Sequence, residues 1–177
     1  SRLVRHGVYA RLDSVRQLAF VSVESANATH TRLAHSFGVS RFCEMAIENF
    51  LREDKIYVIG SDRTERFDLE SHDKQEFAFL GKVCGLLHDI GHAPFGHNLD
   101  RLVSIQVPET NVGGQRVDKY FSALYIRDYV ADTLRTIGVD PETVISILCP
   151  SFGAKPGQTA YSKYLPIIKN VIDSDLD

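Results

Sequence analysis

Apolar residues recur at 12, 15, 18 and 19 within Arg11–Phe20, a helical spacing that predicts a short opening helix with Arg11, Arg16 and Gln17 on its outer, solvated face. Val21 to Ala28 reads as a loop. The period returns from Arg32 to Leu51, where Leu33, Phe37, Phe42, Ala46 and Phe50 are expected on the inner side of a long helix capped by Thr29 or Thr31. Between Leu51 and Lys74 the pattern changes. Lys55–Gly60 and Arg63–Glu70 read as two short strands about the turn Ser61-Asp62, a β-hairpin inserted near residues 55–70. Phe77–Leu87 is apolar and long enough for a buried helix, and Gly91 followed by Pro94 supplies its stop.

Past Asp100, Arg101-Leu102-Val103 continues a short helix and Val107–Gln115 is a loop rich in helix breakers. Arg116–Ile137 predicts a long amphipathic helix with Phe121, Leu124, Tyr125, Tyr129, Leu134 and Ile137 as its apolar positions. Asp140 and Pro141 have the order of a cap and a first helical residue, Ser151–Thr159 reads as a loop, and Tyr161–Leu176 is the final helix. Many helices against a lone hairpin make the expected fold class all-α.

Composition changes this picture little. The 177 residues, 44% hydrophobic and 24% charged, suit one globular domain with a sizeable core over 1–177. A formal charge of −3 argues against a general footprint on duplex nucleic acid and leaves room for a local site that takes a small phosphorylated ligand. Cys43, Cys84 and Cys149 are odd in number and form no Cys-x-x-Cys pair, as expected of buried free thiols in a reducing cytosol. With no apolar run of membrane-spanning length and no signal peptide, a soluble cytoplasmic protein with no membrane partner is expected.

The candidate chemistry lies behind Leu86-Leu87, where His88-Asp89-Ile90-Gly91-His92-Ala93-Pro94-Phe95-Gly96-His97-Asn98-Leu99-Asp100 gathers three histidines and two aspartates. His88 and Asp89 fall at a helix C-terminus, whose unsatisfied carbonyls favour a cation. Imidazole and carboxylate are donors that divalent ions accept. An adjacent His and Asp buried behind two leucines would be costly unless paired or bound to metal. His92 shares a face with His88 if the last turn persists, and Pro94 turns the chain so that His97 and Asp100 approach from another direction.

The segment resembles the signature of the HD superfamily of metal-dependent phosphohydrolases, and the continuation Gly-His-x-Pro-Phe-x-His-x-x-Asp is similar to its deoxynucleoside triphosphate triphosphohydrolase branch. Thr29-His30-Thr31-Arg32-Leu33-Ala34-His35-Ser36-Phe37-Gly38-Val39 is similar to the branch's Thr-x-Arg-x-x-His-Ser-x-Gly-Val, and Arg11 to Leu18 to the preceding Arg-Leu-x-x-x-x-Gln-Leu. The resemblance implies an all-α HD-domain helical bundle with a divalent metal (Mn, Mg, Fe, Zn or Ni) held by His35, His88 and Asp89. It further implies Arg32 on the substrate phosphates, Gln17 on the sugar, and His92, His97 and Asp100 in catalysis. The substrate implied is a deoxynucleoside triphosphate, released as deoxynucleoside and triphosphate, in a homo-oligomer. In the Arg116–Ile137 helix Ser122 matches a branch serine, whereas Asp118 stands where the branch often has a catalytic histidine. The end of the chain looks like the start of the branch's Leu-Asp-x-Asp motif, so a fourth ligand is expected past Asp177 in a longer protein, with Asp175 or Asp177 as substitutes. The rival readings are an HD phosphohydrolase acting on another phosphoester, and a non-catalytic nucleotide-binding or assembly protein.

Overall fold

A computed structural model describes residues 3, 5–18, 21–24, 27–57, 64–94, 97–106 and 117–173. Its centre is a pair of helices, α3 (Arg32–Glu53) and α4 (Ser71–Leu87). Thr31 caps α3 by accepting from the Ala34 amide at 3.2 Å, and Asp54 in the left-handed region (φ 54°) ends it. Aspartate is among the few residues that tolerate that conformation.

The inner face of α3 is Ser36, Ser40, Cys43, Ile47 and Leu51, not the aromatic positions the period suggests. Phe37, Phe42 and Phe50 are 44, 45 and 41% exposed. The cause is close approach. A Cβ on Gly85 of α4 would lie 3.0 Å from the Cys43 sulfur and from the Ser40 Cα, leaving no room for a ring between the helices. The Ser40 hydroxyl instead donates to the Lys82 carbonyl at 2.8 Å. Small side chains that satisfy their own polar groups let two backbones meet closely, and the large rings go elsewhere.

The expected opening helix is a second correction. The chain forms α1 (Gly7–Ala10), a 3₁₀ turn over Arg11–Ser14, and then an extended Val15 (φ −102°, ψ 118°). Leu12 and Val15 are buried as the spacing requires, but Arg16 pairs antiparallel with Thr31, and the Arg32 amide donates to the Val15 carbonyl at 2.8 Å. A β-branched residue behind Asp13-Ser14 is a weak helix former, and ladder bonds to the cap of α3 outweigh its propensity. Val21–Glu24, expected in a loop, is one helical turn, α2.

Of the hairpin expected near residues 55–70, the described residues hold only a two-stranded ladder. β1 (Ile56–Tyr57) pairs antiparallel with β2 (Thr64–Glu65), and residues 58–63 lie outside the described ones. Residues 66–70, expected to be strand, are irregular, because Phe67 turns into the core against the Tyr164 ring and the Asp68 amide donates to the Tyr164 hydroxyl at 2.8 Å.

Beyond α4 comes α5 (His97–Gln106), and the loop expected over Val107–Gln115 lies outside the described residues. Val117–Thr136 is one continuous run, α6 (Val117–Tyr125), a π-type turn over Ile126–Val130, and α7 (Ala131–Thr136). The wider turn rotates the face, so Ile126 and Val130 are buried while Tyr129, an expected inner position, is 55% exposed. Asp140 caps α8 (Pro141–Leu148), and a 3₁₀ turn at Ser162–Tyr164 leads to α9 (Leu165–Ile172), shorter than expected. α8 packs on α4, α6 and α9, and α9 closes over α3 and α4. Among the described residues the fold is all-α apart from the four-residue ladder and the Arg16–Thr31 bridge. Among the described residues no helix is long and apolar enough to cross a membrane.

Candidate metal centre

His88 caps α4 with helical backbone, after which the chain tightens. The Ile90 amide donates to the Leu87 carbonyl and the His92 amide to the Asp89 carbonyl, each at 3.1 Å. The last α turn therefore does not persist to His92. This three-residue repeat carries His92 toward Asp89, with Nε2 3.4 Å from Oδ1, and toward Asp118 of α6, with Nε2 3.5 Å from Oδ2. The turn is pressed onto α6 at Gly91, whose amide donates to the Ser122 hydroxyl at 3.0 Å. A Cβ there would fall 1.9 Å from the Asp118 carbonyl oxygen.

His35, one turn into α3, meets this corner. Its Nε2 is 3.3 Å from Nε2 of His88, and the rings stand edge to face with centroids 5.2 Å apart. Nδ1 of His88 lies 2.8 Å from the Gly85 carbonyl, which only accepts, so Nδ1 carries a proton and Nε2 is the ring nitrogen turned to His35. Oδ1 of Asp89 is 3.4 Å from the same nitrogen. Donor atoms of His35, His88 and Asp89 thus all lie within 4.8 Å of one another, two from buried residues and one from a half-buried residue. This donor set, at the negative end of α4, fits a divalent cation. A second group among the described residues, His72, Asp73 and Glu76, is largely exposed on the first two turns of the same helix, near the end where the backbone field opposes a cation.

The charge in this corner is balanced within the protein. Burial by itself would raise the Asp89 carboxyl, but His88, His92 and Arg32 outweigh it and hold the group well below the ordinary carboxylate range. Arg32 is itself buried, with Nη1 2.6 Å from Asp89 Oδ2, so one arm of the expected phosphate clamp is committed to the expected ligand. Nε of Arg32 and Oε1 of Gln17 are buried and make no hydrogen bond among the described residues. His97 and Asp100 are placed in α5, with only their backbone described, and Asp175 and Asp177 lie outside the described residues.

Three residues enter the site that the sequence pattern does not single out as such. Tyr9 of α1 is fully buried, its hydroxyl pushed up by burial, with Ser36 and the Asp89 charge as neighbours. Arg11, expected on a solvated face, reaches the carbonyls of Ile90 and His92. Asp118, noted in the sequence only as a departure from a histidine, is buried beside His92.

Residues 32–174 match the HD domain family. An HD domain-containing protein of Acanthamoeba polyphaga mimivirus is 32% identical over 114 residues, which is 62% of this chain and 24% of that protein. Deoxynucleoside triphosphate triphosphohydrolase SAMHD1 of Gallus gallus is 23% identical over 167 residues, 93% of this chain and 25% of that one. The Homo sapiens SAMHD1 is 27% identical over 109 residues, 61% of this chain and 15% of that one. The chain thus spans about a quarter or less of the length of these curated relatives. A solved structure of a hypothetical protein from Aquifex aeolicus shares the fold, with a TM-score of 0.60 at 22% identity over 99% of this chain and 37% of that one. The family match takes in both long helices and every donor of the His35, His88 and Asp89 corner, and the chain belongs to the HD domain family.

Proposed function

We propose that this chain carries the metal-dependent phosphohydrolase site of a longer protein, acting on a deoxynucleoside triphosphate to give deoxynucleoside and triphosphate. The observation that carries the reading is the convergence of His35, His88 and Asp89 donors within 4.8 Å at the C-terminal end of α4. A divalent ion held there would polarise a phosphoryl oxygen and acidify a bound water. The chain's own residues do the rest. The Gly85 carbonyl fixes the His88 tautomer, and Arg32 balances Asp89 while its Nε lacks a partner among the described residues. Oε1 of Gln17, which has no hydrogen-bond partner among the described residues, is an acceptor suited to a sugar hydroxyl. His92 and His97 would provide acid-base or phosphate contacts, with Asp100 fixing a tautomer. As water adds to the α-phosphorus, the bond to the ester oxygen breaks and that oxygen takes a proton.

The substrate part of this reading draws on the name of the SAMHD1 relatives. One observation favours a second substrate class. Asp118 brings a carboxylate to within 3.5 Å of His92, where a histidine is expected, which makes that side of the site less welcoming to a polyanion. A panel of deoxy- and ribonucleoside triphosphates and simple phosphomonoesters, incubated with the full-length protein and Mn²⁺ and resolved by anion-exchange chromatography, separates the two. Triphosphate as the product supports the first reading. Orthophosphate from a monoester supports the other, and no hydrolysis in any arm leaves a non-catalytic binding protein.

A further inference from the structure

Arg11 leaves the first turn after α1 and crosses to the far side of the metal corner. Nη1 donates to the His92 carbonyl at 2.6 Å, Nη2 donates to the Ile90 carbonyl, and the guanidinium carbon stands 4.9 Å from the centre of the Tyr125 ring on α6. Both carbonyls belong to the turn that follows α4, where the helical ladder has ended and oxygens are left without intrahelical donors. Burying such oxygens unpaired is costly, and a guanidinium is the side chain whose rigid fork can serve two at once. The same turn carries His88, Asp89 and His92, so its orientation sets where their donor atoms point.

The neighbouring contacts of this segment reach the other half of the corner. The Gln17 amide donates to the His30 carbonyl at 3.2 Å, and the amide of Arg32, the first residue of α3, donates to the Val15 carbonyl at 2.8 Å. Residues 11–17 therefore brace both the helix that bears His35 and the turn that bears His88 and Asp89. Within the segment, Arg11 is the residue whose side chain reaches that turn by direct hydrogen bonds.

We propose that Arg11 is a positioning residue of the metal corner, a clamp that holds the 88–92 turn so that His88 and Asp89 face His35. This rests on the reading of those three residues as a metal site. The test uses the full-length protein with Arg11→Ala and Arg11→Lys, Mn²⁺ binding by calorimetry, and amide hydrogen exchange of the metal-free forms. Wild-type Ile90, Gly91 and His92 amides are all hydrogen-bonded, so their exchange reports the turn directly. Arg11→Ala should weaken Mn²⁺ binding about ten-fold or more, the range found when an outer residue that orients a ligand is removed. Exchange at Ile90–His92 should rise while α3 and α9 keep wild-type rates. Low guanidinium, well below denaturing levels, should restore both, and Arg11→Lys should fall between, because an ammonium cannot reproduce the fork. Wild-type Mn²⁺ affinity in Arg11→Ala overturns the proposal. So does exchange that rises uniformly along the chain and is not restored by guanidinium. If Arg11→Ala does not fold, Arg11→Lys decides, and wild-type affinity there overturns the clamp. A wild type that fails to bind Mn²⁺, with a turn loosened in the variant and rescued by guanidinium, refutes the metal reading and supports the clamp. A wild type that binds Mn²⁺, with a turn unchanged in the variant, refutes the clamp alone.

Discussion

Replacing Gly91 with alanine is the smallest perturbation that should break the metal corner without touching a donor atom. The added Cβ would lie 1.9 Å from the Asp118 carbonyl oxygen, 2.4 Å from the Ser122 amide nitrogen and 2.5 Å from the Ser122 hydroxyl. Two of these three are backbone atoms of α6, which cannot swing aside as the end of a long side chain can. Forcing a methyl into a packed site costs about 1–3 kcal/mol. Separating the turn from α6 also weakens the buried Gly91–Ser122 hydrogen bond, a further loss of about 1 kcal/mol. A total of about 3 kcal/mol is expected, which in a chain of this size corresponds to a fall of about 6–12 °C in Tm. Gly38→Ala is the matched control. A Cβ there meets nothing within 4 Å on α3, and replacing a helical glycine should raise stability by about 0.5–1 kcal/mol. Urea unfolding followed by circular dichroism measures both. A Gly91→Ala protein within 0.5 kcal/mol of wild type would show that the turn does not seat on the α6 backbone, and the placement of His92 beside Asp118 would fall with it.

The face of α3 gives a second comparison: Ile47→Ala should cost about 2–5 kcal/mol and Phe42→Ala under about 1 kcal/mol by urea titration, the reverse of what side-chain size predicts, because Ile47 is fully buried and Phe42 is 45% exposed. At the start of α8, Asp140→Ala should lose about 1 kcal/mol at neutral pH. Burial pulls the Asp140 carboxyl up, but the Thr143 hydroxyl and amide and the Gly157 and Glu142 amides pull it further down, so its folded pKa lies below its unfolded one. Its contribution is then fully present above the ordinary aspartate range and fades as pH falls through and below it, so the stability gap between wild type and Asp140→Ala measured at a series of pH values should close on the acid side. The three cysteines are buried; burial raises the Cys84 thiol and pushes Cys149 up to about 12, so a thiol-specific chromogenic disulfide at pH 8 should titrate none in the native protein and all three in denaturant.

The fold class was legible because helical period is a strong local signal, and the caps at Thr31 and Asp140 are chemistry that any sequence displays. What periodicity cannot supply is which of two adjacent stripes faces the partner helix. On α3 the aromatic stripe is the more hydrophobic and a Ser-Ser-Cys-Ile-Leu stripe is the buried one, because the distance between helices is set by Gly85 and its neighbours on α4. The glycines at 81 and 85 inside the apolar run were the available clue to close packing, and only a partner helix makes them readable. The π-type turn at Ile126–Val130 misleads in the same way, since one wider turn changes the phase of every later position and leaves Tyr129 outside.

The candidate site divides along a similar line. His88 and Asp89 stand out because a His and an Asp placed behind two leucines are costly unless paired or bound, whereas His35 is picked out by the resemblance of its motif. Arg11 gives no such sign. It sits between apolar positions at a spacing that in a regular helix would face solvent, and it turns inward because the helix ends at Ala10, a 3₁₀ turn follows, and the chain runs out along the start of α3. Its partners are backbone carbonyls, which every residue possesses and no motif marks. Donors that hold a ligand are written in side-chain identity, whereas the groups that aim those donors act on main-chain oxygens and appear only once the chain has folded. Asp118 stands between the two cases: its identity flags a departure at a known register, yet that it lies buried against His92 depends on how tightly Gly91 lets the turn approach α6. The His92–Asp118 contact is thus permitted by a residue with no side chain, Gly91, which lets the turn lie against the α6 backbone.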